Sequence, residues 1–143
     1  MLSFNKENTR LGVDIDNWKD AVTYSANLLV EQGCAEKSYI DGILEGIKEF
    51  GSYIVISDNL AIPHARPEKG SKKIGFSLVT LNNPVYFDDS DNPVRVFIAF
   101  TAIDNSSHIE ILQNIVKIVE NNLIEKIIEA KNIDDLNKIM REI

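Results

Sequence analysis

The chain holds two histidines, and each sits in a segment suited to chemistry. The first lies in "NLAIPHARPEKG", residues 59–70, where His64 directly follows Pro63 and Arg66 precedes Pro67. Each proline pushes the residue before it into the extended region, so Ile62 and Arg66 are both held extended. The segment is stiff before folding as well, and ordering it costs little entropy. The imidazole is therefore pre-aimed. With an ordinary pKa near ~6.5 it is mostly a neutral base or nucleophile at neutral pH. The plainer reading is a partly buried polar residue near a strand end; the bracketing prolines and Arg66 favour chemistry.

The second lies in "DNSSHIE", residues 104–110, where Ser107-x-x-Glu110 fits a capping box. With Ser107 as N-cap, His108 opens a helix. Positions 108, 112 and 115 then share a face, which aims His108 inward over a sheet. It is either a satisfied core histidine or part of an anion site, because free N–H groups and the dipole at a helix N-terminus favour negative charge. Two histidines, Arg66 and the Ser107 helix start could converge on one anion, and phosphate fits best. Zinc is the rival, but a catalytic zinc usually has three protein ligands, and two His with one Cys match no zinc spacing. No metal is expected, nor any cofactor, since the chain lacks the G-x-x-x-x-G-K-[ST] loop of ATP sites. The G-x-S-x-G motif is also absent. Cys34, just after Gly33, reads as a small buried residue rather than a nucleophile.

The elements that must position these residues follow from the apolar period. Asp16 reads as the N-cap of a helix ending at Gly33, with Trp18, Ala21, Val22, Ser25, Leu28 and Leu29 on its stripe. A second helix spans about Glu36 to Phe50, with Tyr39, Ile40, Ile43, Leu44, Ile47 and Phe50 at helical spacing, stopped by Gly51. Gly42 and Gly46 weaken its propensity, so packing must hold it. "YIVI", residues 53–56, reads as a strand buried on both faces. "KIGFSLVTL", residues 73–81, alternates as a strand, and "VRVFIAFTA", residues 94–102, reads as the central one. Between them a short strand is expected at Val85–Phe87, flanked by turns. After residue 105 a helix carries Ile109, Leu112, Ile115, Val116 and Val119 on one stripe. Two short helices follow, 123–130 and 134–141, the latter capped by Asp134. Helices, strands, then helices predict an α/β fold, a mixed β-sheet flanked by helices on both faces.

The length suits one domain, residues 1–143. No apolar run approaches the roughly 20 residues of a membrane helix. "MLSFNKENTR" has no signal-peptide core, so a cytoplasmic location is expected, and a lone cysteine fits a reducing compartment. A net charge of -7 argues against nucleic acid, whose phosphates require Lys and Arg. It suits a partner with a basic contact patch.

"AIPHARPEKG", "KIGFSLVTLNNPVYF" and "NPVRVFIAFTAIDNSSHIEILQNI" together resemble the IIA component of the bacterial phosphoenolpyruvate-dependent sugar phosphotransferase system (PTS), fructose–mannitol type. "PHARPE" is similar to the branch associated with ascorbate and related carriers; mannitol-type members usually read "PHG". The resemblance implies a type-2 EIIA domain with a mixed sheet and helices on both sides. It implies a phosphotransferase in which His64 takes a phosphoryl group from the carrier protein HPr. His64 then passes the group to a cysteine of the cognate IIB component, the link to the membrane-bound IIC. It also implies that His108 is the second active-site histidine, bonding near the phosphoryl group. Arg66 as a phosphate contact is inferred from its position alone. Apolar residues such as Ile62 or Ile109 would supply the protein-contact patch. A different class stays open: a free-standing regulatory IIA-like domain that reports sugar status by histidine phosphorylation. Such domains usually sit fused to other regulatory modules, for which this chain has no room. A IIB and a IIC gene beside this one would favour transport.

Overall fold

A computed structural model describes residues 2–143. The elements run β1 (Thr9–Val13), α1 (Trp18–Glu31), α2 (Ser38–Phe50), β2 (Val55–Ser57), β3 (Asn59–Ala61), a 3-10 turn (Pro67–Lys69), β4 (Gly75–Val85), β5 (Val94–Thr101), α3 (Asn105–Glu120), α4 (Ile124–Glu129) and α5 (Ile133–Met140). The strands form one mixed sheet in the order β1-β4-β5-β3-β2. β4 pairs antiparallel with β5, β3 runs parallel to β5, and β1 runs parallel to β4. The mixed sheet between helical layers is the predicted class.

The pleat explains why β5 is central. Its side chains alternate between two cores. Phe97 and Ala99 enter the cluster under α1 and α2; Val96, Ile98 and Phe100 enter the one under α3, α4 and α5. A strand covered on both faces has no place for a polar side, hence the near-continuous apolar run.

Several boundaries differ from the sequence reading, each for a local reason. Asn17, not Asp16, caps α1: its side chain accepts from the Asp20 N–H. Asn132, not Asp134, caps α5 through the Asp135 N–H. β4 runs on to Val85, which pairs with Val94, so the separate strand at 85–87 does not form. The 53–56 run is not buried on both faces, because β2 is an edge strand on which Ile56 is exposed. β1 and β3 were not expected. Each is short, and their apolar residues lack the alternation that marks a strand. On α3 the buried residues are Ser107, Ile111, Ile115 and Ile118, while Ile109 and Val116 face solvent. The two glycines of α2 earn their helix cost by proximity. A Cβ on Gly42 would lie 2.9 Å from Lys69 Cβ, and one on Gly46 would lie 3.0 Å from Tyr53 Oη. The turn after His64 and the Tyr53 ring thus press directly on the helix backbone.

Candidate active site

His64 sits in the segment between β3 and the 3-10 turn. Four neighbours fix that segment. The Ile62 N–H donates to the Ile54 carbonyl (2.8 Å), and the Phe100 N–H donates to the Pro63 carbonyl (3.1 Å). The Tyr53 hydroxyl donates to the His64 carbonyl at 3.2 Å. The Ala65 N–H donates to the Tyr39 hydroxyl at 2.9 Å. The prolines limit the conformations; these bonds choose one.

The ring itself is half-buried and lies on Phe100, with centroids 4.7 Å apart and planes 19° from parallel. Tyr53 meets it edge-on at 5.9 Å and His108 at 5.4 Å. Nδ1 is 2.7 Å from the Ile62 carbonyl oxygen. A carbonyl only accepts, so Nδ1 carries the hydrogen and Nε2 holds the free lone pair. Nε2 has no hydrogen-bond partner among the described residues. Burial lowers the pKa of His64 below the ordinary imidazole value. The Ile62 carbonyl opposes that fall, and the neighbouring His108 adds to it. The ring is thus a neutral nucleophile at neutral pH.

His108 is half-buried and packs against the Phe100 ring as well as His64. Its helix starts one turn earlier than expected. Asp104 is the N-cap, and Ser107 stands at the third helical position. The Ser107 N–H donates to Asp104 Oδ1 (2.8 Å), and the Ser107 hydroxyl accepts from the Asp104 N–H (3.2 Å). Asp104 is a favoured N-cap type, but Ser107 at the third helical position does not fit the S/T-x-x-E/Q pattern that Ser107-x-x-Glu110 does, so the sequence pattern favours the later frame and the fold uses the earlier one. The Ser107 hydroxyl is engaged in this cap and does not line the groove beside His64. The N–H groups of Asn105 and Ser106 have no acceptor among the described residues.

The groove holds about 710 Å³, and His64, Arg66, Lys69, Asp104 and His108 line it. Arg66 is exposed on this rim, with no acidic partner among the described residues. Of the two apolar residues expected in the contact patch, Ile62 is 4% exposed and belongs to the core, whereas Ile109 faces solvent, as do Phe50 (69%), Tyr53 and Ile103. Cys34 is buried, and burial pushes its thiol pKa up against the opposing pull of Lys73, in keeping with a small core residue. Sequence reasoning placed Tyr39 and Phe100 in apolar runs and so missed that both shape the site; only the fold brings them to His64.

The groove is open and of mixed polarity: Arg66 and Lys69 share its lining with Glu45, Glu49, Glu68 and Asp104, and the half-buried His64 offers a free Nε2 beside it. The chain matches, over residues 2–143, the family described as "Phosphoenolpyruvate-dependent sugar phosphotransferase system, EIIA 2", and it belongs to that family. It is therefore a PTS IIA component, a phosphotransfer protein of a sugar system. It is 43% identical over 113 residues to the ascorbate-specific PTS system EIIA component of Escherichia coli (strain K12), covering 78% of this chain and 73% of that protein. The solution structure of the mannitol-specific cryptic phosphotransferase enzyme IIA CmtB from Escherichia coli is 28% identical, with a TM-score of 0.86 over 98% of this chain and 95% of that one. Enzyme IIAMTL of Escherichia coli, in complex with phosphorylated enzyme IIBMTL, shares the fold at a TM-score of 0.86 and 20% identity, with 99% of each chain covered. No helix among the described residues is long and apolar enough to cross a membrane.

Proposed function

We propose that His64 Nε2 is the phosphoryl acceptor, loaded from phospho-HPr and unloaded onto a cysteine of the cognate IIB component. The observation that carries this reading is the Nδ1–H bond to the Ile62 carbonyl, which leaves Nε2 as the free nucleophile beside the groove. In loading, the donor N–P bond breaks as Nε2–P forms. Positive charge then develops on the ring, and the Ile62 carbonyl stabilises it through Nδ1–H. In unloading, the IIB thiolate attacks phosphorus and the Nε2 lone pair is restored. The transferring group spreads negative charge over three oxygens, so donors placed around it supply the catalysis. His108, the Asn105 N–H and Arg66, all at the groove, are those donors, while Ser107 acts by holding the helix start. The solvent-facing Phe50, Tyr53, Ile103 and Ile109 suit a surface that meets two proteins in turn.

The relative's name supports ascorbate or a related compound as the transported substrate. A IIA of this fold in complex with phosphorylated IIB supports the acceptor. Phosphorylation with phosphoenolpyruvate, enzyme I and HPr, followed by mapping, tests the reading. One acid-labile, base-stable label on His64 is expected, lost in His64→Ala without loss of fold. Label on His108, or label retained in His64→Ala, would falsify the assignment.

A further inference from the structure

Tyr39, in the first turn of α2, is fully buried, yet its hydroxyl makes bonds that shape the site. It accepts from the Ala65 N–H at 2.9 Å and donates to the Phe100 carbonyl at 2.8 Å. Ala65 follows His64 in sequence, and the Phe100 ring is the one on which His64 stacks. One oxygen atom therefore ties the peptide beside the imidazole to the residue beneath it. Phenylalanine would fill the same volume in the α1–α2 core, so packing alone does not explain a hydroxyl here. Burial raises its pKa, which keeps the hydroxyl a donor at any ordinary pH.

We propose that Tyr39 is a positioning residue for phosphoryl transfer, locking the His64 segment against Phe100 so that Nδ1–H stays on the Ile62 carbonyl and Nε2 stays aimed at the groove. The proposal rests on His64 being the phosphoryl acceptor. Without the hydroxyl, the Ala65 N–H and the Phe100 carbonyl each lose a bond in a largely buried place. The segment then shifts to find other partners, and the ring samples orientations in which Nε2, not Nδ1, carries the hydrogen. A misplacement of about 1 Å at a reacting atom costs up to ~100-fold in rate. Tyr53 does not replace this tie: its hydroxyl reaches only the His64 carbonyl, from a half-exposed position at the groove edge.

The test compares Tyr39→Phe with Leu29→Ala, a truncation of a fully buried α1 residue in the same core. Three quantities are read: melting temperature, the rate of loading from phospho-HPr, and the His64 tautomer from nitrogen NMR of labelled histidine. Wild-type protein should show the Nδ1–H tautomer alone. Tyr39→Phe should show a second tautomer and load roughly 10- to 100-fold more slowly. Leu29→Ala should melt earlier but keep both the tautomer and the rate. A wild-type tautomer in Tyr39→Phe, with loading no slower than in Leu29→Ala, overturns the proposal. If wild-type protein takes no phosphoryl group, the carrier reading fails, and the tautomer comparison still decides the role of Tyr39. If Tyr39→Phe does not fold, hydrogen exchange of the wild-type Ala65 amide decides. Protection like that of neighbouring strand amides supports the tie; exchange at the rate of an exposed loop removes it.

Discussion

Apart from the His64 Nδ1 bond to the Ile62 carbonyl, the bonds of residues 62–65 run to distant parts of the chain, whereas from Asp104 to His108 the bonds close locally. The Tyr53 and Tyr39 hydroxyls reach the His64 segment from 11 and 26 residues away. The cap of α3 spans three. The nucleophile is thus held by tertiary structure and its partner by local structure. The division suits their tasks. In the proposed transfer, His64 must hold one ring orientation through two successive reactions. The helix turn has only to present donors, which a self-contained cap does cheaply.

The strongest way to break this comparison is His108→Ala. The Asp104–Ser107 cap does not use the imidazole, so the helix start should survive and the melting temperature should change little. Transfer should fall by roughly 10- to 1000-fold, the range for loss of one charge-stabilising donor. Unloading onto IIB should suffer more than loading from HPr. A large drop in urea midpoint with unchanged half-reactions would make His108 a core residue instead. Arg66→Ala should have a smaller effect, about tenfold to a hundredfold in loading, because a charge-assisted contact is worth roughly 1.5–3 kcal/mol. Arg66 packs into no core, so stability should hold. Equal rates for both proteins at low and high salt would assign it to solvent.

The smallest effect is in pH. Burial, with His108 adding to it, holds His64 below the usual imidazole pKa. Loading should therefore persist as pH falls through ~6.5, with its midpoint below that of a free imidazole. The unfolded chain binds the proton more readily, so stability rises with pH between the folded pKa and ~6.5. This contribution is complete above ~6.5 and is lost as pH falls through the folded value. His108→Ala should raise the loading midpoint. A wild-type midpoint at or above 6.5, followed by histidine NMR, would remove the burial argument.

The same division explains what could be read from the chain. The helix N-terminus at His108 was legible because its signals are consecutive, although three residues of frame were lost between Asp104 and Ser107. Pro63, His64 and Arg66 were legible as a stiff, reactive segment. Tyr39 was visible only as one member of an apolar stripe, since nothing near it in sequence announces Ala65 or Phe100. β5 declared itself by being apolar on both faces. β3 could not, because its three residues become a strand only by lying beside β5. Edge strand β2 was mistaken for a buried one because its β-branched residues carry no mark of which side meets solvent.

The order of the strands has a consequence in time. β4 and β5 are neighbours along the chain and form the longest ladder, while β1 must find β4 across the gap between Thr9 and Leu78. Closing longer loops costs more entropy, so nearby pairs gain first. The His64 segment needs Tyr39, Tyr53 and Phe100 all in place, which makes it a late arrival in folding. With His64 as the proposed acceptor, a half-folded chain would carry the histidine without being loaded, and phosphorylation would report completed assembly. In refolding, competence for loading should lag amide protection of the β4–β5 hairpin; simultaneous appearance would put the His64 segment in the folding nucleus.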